Sequence, residues 1–223
     1  IEQSPWLRIW LWTLLVSLIS LILVGGWTRL TDSGLSIVEW KPITGMIPPF
    51  NAEGWIVEFE KYKSIPEFKL VNFDITMDEF KFIYWWEWGH RQLARFIGLV
   101  WFVGFLTLWI MKQIPERWTF YFFGIGLLGA LQAFLGWWMV SSGLDGQVVD
   151  VFSYRLAIHL TMAFIILALI FWAILFHSEN SAKIFESKRY RNKVSVNILA
   201  GLGVLCYVQL ALGALVAGID AGR

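Results

Sequence analysis

Glu87-Trp88-Gly89-His90-Arg91 stands at the outer mouth of one apolar stretch, and a lone His159 lies at a similar depth in another. Two imidazoles facing each other across a helical bundle can take the two axial positions of a haem iron, one on each side of the ring. His90 and Glu87 are three residues apart, so on a helix they project from nearly the same face, about 4.5 Å apart along the axis. A carboxylate so placed can stabilise positive charge, or accept a proton, at the edge of the ring. Ala94 and Gly98 continue the His90 face inward, and Ala163 follows His159 by one turn. These small side chains leave room for a flat ring against the backbone. Zinc would want a third and a fourth ligand, and only Glu87 is at hand. Arg91, Arg95 and Arg155 are placed to pair with the two propionates of a haem whose polar edge points outward. Their plainer role is to snorkel, or to pair with Glu87 and Asp150. For one histidine, a hydrogen bond to a neighbouring helix would be the default. Two at matched depth favour haem, because polar groups in membrane spans are costly and usually functional.

The elements that must position these residues are membrane helices. The chain has 223 residues, a formal net charge of +1, 15 Trp and 18 Phe. Five apolar stretches, roughly 9–27, 93–111, 118–140, 155–176 and 195–218, are long enough to cross a bilayer core. The expected class is an all-α integral membrane protein, with the lipid bilayer as its medium and no nucleic-acid partner. The first stretch runs into a polar motif without a cleavage pattern and reads as a retained span. Basic residues in 112–117 and 178–193 place those loops inside, which puts the N-terminus inside and the long segment 28–84 outside. Trp10, Trp12, Trp27, Trp85, Trp86, Trp137 and Trp138 fall near expected helix ends, as in an aromatic belt. Thr76 followed by Glu79 is a capping-box signal that starts the second long helix near Met77. Helices two and four then run parallel and stand as neighbours or on a diagonal. His177 reads as a helix-terminal or interfacial residue. Cys206, the only cysteine, reads as a small buried apolar residue, and no disulfide can form within the chain.

The chain also repeats itself. Gly25, Asp32 and Gly34, at the end of the first span, align without a gap on Gly213, Asp220 and Gly222 at the end of the fifth. A repeat unit of four helices follows. Residues 1–193 would form a four-helix haem-binding half, and 194–223 the first helix of a second, pseudo-symmetric bundle that is cut short.

Three runs then carry a family resemblance. The first is Gly25-Gly26-Trp27-Thr28-Arg29-Leu30-Thr31-Asp32-Ser33-Gly34-Leu35-Ser36, with Trp40-Lys41-Pro42-Ile43 and Pro48-Pro49. The second extends from Glu79 through Glu87, His90 and Arg91 to Arg95. The third is Gly136-Trp137-Trp138-Met139-Val140-Ser141-Ser142-Gly143-Leu144, followed by His159 and Ala217 to Arg223. Together they resemble haem A synthase of the mitochondrial and alphaproteobacterial type over essentially the whole chain. The resemblance implies eight helices in two similar halves, in a bacterial or mitochondrial inner membrane. It implies oxidation of a ring methyl of haem O to a formyl group, giving haem A for cytochrome c oxidase. It makes His90 and His159 the ligands of the substrate haem and Glu87 the catalytic carboxylate, with a haem b expected in the second half. The implied partners are haem O, a ferredoxin-type electron donor, haem O synthase and cytochrome oxidase assembly factors. The loop cysteine pair of some bacterial members is absent from 28–84, so a mechanism needing loop thiols is excluded. The alternatives are a bis-histidine electron-transfer subunit and a haem-delivery protein without chemistry. Glu87 separates the first of these from an enzyme, because a pure electron carrier has no need of it.

Overall fold

The computed structural model describes residues 4–144, 148–178 and 192–221. Among them are seven α-helices: α1 (Pro5–Leu30), α2 (Ala52–Lys63), α3 (Pro66–Leu70), α4 (Met77–Ile110), α5 (Glu116–Leu144), α6 (Ser153–Ser178) and α7 (Lys193–Ala217). Five of these, α1, α4, α5, α6 and α7, are long and apolar enough to cross a membrane. The chain is therefore a multi-pass helical membrane protein. Most of the basic loop 178–193, Asp145, and the Gly34–Gly222 match fall outside the described residues.

Local sequence fixes the helix ends. Ser4 caps α1 by accepting from the Leu7 N–H at 3.3 Å, with Pro5 at the first helical position. The capping box at α4 forms as expected. Thr76 accepts from the Glu79 N–H at 3.3 Å, and the Glu79 carboxylate accepts from the Thr76 N–H at 2.8 Å. At about 1.5 Å per residue, the 34 residues of α4 run to about 50 Å, well beyond a hydrocarbon core of about 30 Å. Its first turns therefore stand clear of the core and join the 31–76 segment.

The four helices α1, α4, α5 and α6 form a ring of neighbours in which α1 packs on α4 and α6, and α5 on α6 and α4. That places α4 and α6 on one diagonal, and α7 docks on α6. Leu7, Leu11, Leu14 and Leu18 recur at helical spacing on α1 and pack in the bundle core with Phe122, Ile166 and Ile170. Trp10 belongs to this core rather than to an aromatic belt, and its indole donates to the Val100 carbonyl at 3.0 Å. His177 is helix-terminal but buried, with Nδ1 2.8 Å from the Ala173 carbonyl and the ring edge-on to Trp118. Cys206 is exposed, not buried, because α7 touches the bundle through α6 and leaves its other faces open.

A second core lies at the end of the bundle that carries the long loop. Phe59, Tyr62, Ile65, Phe80 and Tyr84 pack there, so α2 folds onto the first turns of α4, while α3 lies against α2 and α5. The prolines that break this segment in sequence start or flank its helices, as Pro66 does at α3.

Candidate functional site

His90 and His159 come from the two diagonal helices, His90 turned to α1 and His159 to α5. Each ring rests on a glycine of the adjacent helix. A Cβ built on Gly25 of α1 would stand 2.8 Å from Cε1 of His90, and one on Gly136 of α5 would stand 2.8 Å from Cε1 of His159. The carbonyls of Leu21 and Gln132 belong to the residues four before these two glycines. In both rings Nδ1 is buried without a full hydrogen bond. On α4, Ala94 and Gly98 are open, and a Cβ on Gly98 would meet nothing within 4 Å. Two half-buried imidazoles seated on helix backbone, each with its Nδ1 shielded and open space below one of them, suit a flat ring carrying a metal that wants two axial nitrogen ligands.

Glu87, one turn from His90, is 3% exposed, and its carboxylate is heavily engaged. One oxygen accepts from the Ser36 hydroxyl at 2.8 Å and the Ile37 N–H at 2.7 Å. The other accepts from Arg91 Nε at 3.0 Å and Nη2 at 2.5 Å. Arg91 in turn donates to the carbonyls of Ile37 (2.8 Å) and Glu39 (3.0 Å). The pair thus pins the chain at 36–39 to α4. Further along, Gln92 donates to the Met46 carbonyl (3.0 Å), and Arg95 to those of Pro42 (2.8 Å) and Lys41 (3.0 Å). Trp40 crosses to α5 and stacks on Trp137 with ring centroids 5.7 Å apart. Residues 36–46 therefore form a strap from α4 to α5 at the loop end of the bundle.

A family model described as "Cytochrome oxidase assembly protein" matches residues 8–223. The chain belongs to this family. Among curated members named "Heme A synthase", it is 53% identical over 216 residues to the one from Dinoroseobacter shibae. It is 51% identical over 217 residues to those from Cereibacter sphaeroides and Paracoccus denitrificans. These matches cover 97% of the chain and 56–57% of each relative, so the chain spans about half the length of the curated relatives it matches. No solved structure matches.

For this member of the cytochrome oxidase assembly family, the other expected site residues fall as follows. Arg91 is committed to Glu87 and the strap. Arg95 uses Nε and Nη2 on the strap, while its Nη1 is buried without a partner. Arg155 donates to the Trp138 carbonyl at 2.6 Å and lies over the Trp138 ring at 4.5 Å. Two residues were not singled out from the sequence. Arg29 binds Asp32 at 2.9 Å and Asp220 at 2.7 Å, lies 3.8 Å from Asp150, and donates to the Ala217 carbonyl at 3.0 Å. Glu67, on α3, is buried with Oε2 unpartnered. Burial, then the charges of Asp150, Glu87 and Asp32, push its carboxyl up to about 8 against the opposing pull of Arg29. The pairing of Arg29 with Asp220 joins residues 191 apart, which no local pattern signals.

Proposed function

We propose that His90 and His159 are the axial ligands of one haem iron and that the site oxidises the ring methyl of haem O on the way to haem A. The observation that carries this is the pair of glycine-seated imidazoles on diagonal helices. The name shared by the curated relatives supplies the reaction class. Because Nδ1 is the buried nitrogen of each ring, Nε2 is the nitrogen left for the iron. The haem supplies the redox centre, and the protein's residues orient it. Arg95, through its free Nη1, is the first candidate for a propionate, with Arg155 the second and Arg91 acting through the strap. Glu87 is held in place by four donors and acts through a fixed negative charge at the ring edge beside His90. Electrons come from a ferredoxin-type donor, and the product serves cytochrome c oxidase assembly. The chain sits in a bacterial or mitochondrial inner membrane with its N-terminus inside. Residues 1–193 form a haem-binding half, 194–223 open a second pseudo-symmetric half, and a haem b belongs to that second half.

One observation favours a second reading. Every acceptor position of Glu87 is occupied by the strap or Arg91, as expected of a residue that only builds the site. In that case the protein carries or delivers haem without changing it. The test is to express the complete gene with a haem O supply, extract the haems and separate them by chromatography with mass detection. Haem A or its hydroxymethyl precursor, lost in His90→Ala and His159→Ala and reduced in Glu87→Ala, supports the enzyme. Haem O alone, unchanged by Glu87→Ala, leaves the carrier.

A further inference from the structure

Four aromatic side chains in this bundle each lie over a glycine of the neighbouring helix, and two of them, both tryptophans, donate to its backbone. Trp10 lies over Gly104, where a Cβ would fall within its ring, and donates to the carbonyl four residues earlier, Val100, at 3.0 Å. Trp101 lies over Gly126 in the same fashion and donates to Phe122, again four residues earlier, at 3.1 Å. His90 lies over Gly25 beside the Leu21 carbonyl, and His159 over Gly136 beside that of Gln132. The offset of four is constant and has a physical reason. In an α-helix the carbonyl of residue n−4 accepts from the N–H of residue n and so lies beside its Cα. A side chain at n would screen that carbonyl, and glycine leaves it open to a ring N–H.

We propose that Gly25 and Gly136 are positioning residues for the two imidazoles. Each removes a Cβ, seats the ring on helix backbone and holds one ring nitrogen toward the n−4 carbonyl, which presents the other nitrogen to the iron. This rests on the haem-ligation reading above and adds to it the source of each ring's orientation. A metal-bound histidine whose second nitrogen is held by a backbone carbonyl has a fixed tautomer and ring plane. The two tryptophans show that a glycine in this fold opens the n−4 carbonyl to a ring N–H of the adjacent helix. Gly26 provides the internal contrast, because a Cβ there would meet nothing within 4 Å.

The experiment uses the full-length protein purified in detergent with its haems. The low-spin electron paramagnetic resonance signal that disappears in His90→Ala and in His159→Ala defines the site. Gly25→Ala and Gly136→Ala should shift or abolish that signal and lower haem affinity by about tenfold or more, whereas Gly26→Ala should leave both unchanged. A melting cycle in haem-free protein runs beside it. Gly25→Ala should lower the midpoint when His90 is present and have little effect in a His90→Ala background, where the ring is gone. Wild-type signals in both glycine variants, or equal destabilisation with and without His90, would overturn the proposal. If no signal depends on His90 or His159, the ligation reading fails, while the melting cycle still decides whether Gly25 seats the ring.

Discussion

At the scale of single residues, the pair next to the site carries the largest structural consequence. Glu87 and Arg91 are both shielded, and together they satisfy a hydroxyl, a backbone N–H and two carbonyls of the strap. Removing one member of a buried pair leaves the other uncompensated, so Glu87→Ala should destabilise the protein by about 3 kcal/mol. Glu87→Gln, which keeps an acceptor, should cost less. Denaturation in detergent measures both, and a loss of about 1 kcal/mol or less for alanine would place the pair with exposed ion pairs. Glu67 gives a pH dependence. Its folded value of about 8 lies above the ordinary carboxyl value of 4.5, so the folded state holds the proton more tightly than the unfolded one. Its contribution is fully present below 4.5 and is lost as pH rises through 8. Midpoints recorded between pH 5 and 8 should fall with rising pH in the wild type and flatten in Glu67→Gln. Equal slopes would contradict the assignment. Residue type and depth alone single out the two histidines as candidates. The engagement of Glu87 was not legible, since its partners Ser36 and Ile37 are 50 or more residues away.

At the scale of elements, periodicity and caps specified most of what is observed. The Thr76–Glu79 box marked the start of α4, and the apolar stretches marked the five long helices, which extend past those stretches by up to 16 residues where polar turns continue the helix. What remained hidden was the pairing of helices, because lengths and loops leave neighbour and diagonal arrangements of α4 and α6 equally open. Packing settles it through rings on glycines, a signal spread over two helices at once. Trp10 shows the cost of reading one helix alone: its position suggests an interfacial belt, yet its indole is claimed by α4. The strap was equally invisible, being a loop fixed by α4 side chains and by one stack on α5. Trp40→Ala removes that stack and should release the segment from α5. Hydrogen exchange should accelerate over residues 37–46 while α4 keeps its protection, and unchanged exchange would mean the α4 contacts alone hold the strap.

At the scale of the whole molecule, Arg29 links distant parts of the chain. It joins the end of α1 to the end of α7 through Asp32 and Asp220, two aspartates that share a left-handed backbone with φ of 47° and 50°. Aspartate is among the side chains that adopt this conformation most readily, and the two stand at positions that align in the sequence. Arg29 even donates to Ala217, the residue aligned with itself. Arg29→Ala should loosen the end of α7 from α1, seen as faster exchange around residues 214–221 with the four-helix ring unaffected. Protection unchanged at α7 would show that its packing on α6 suffices. The central claim, one haem clamped across the diagonal of this ring, is tested most directly by electron paramagnetic resonance of the full-length protein with His90 and His159 replaced singly by alanine. The account predicts that each replacement alone removes the same low-spin bis-imidazole signal. Loss of different signals, or survival of that signal in either variant, would contradict it.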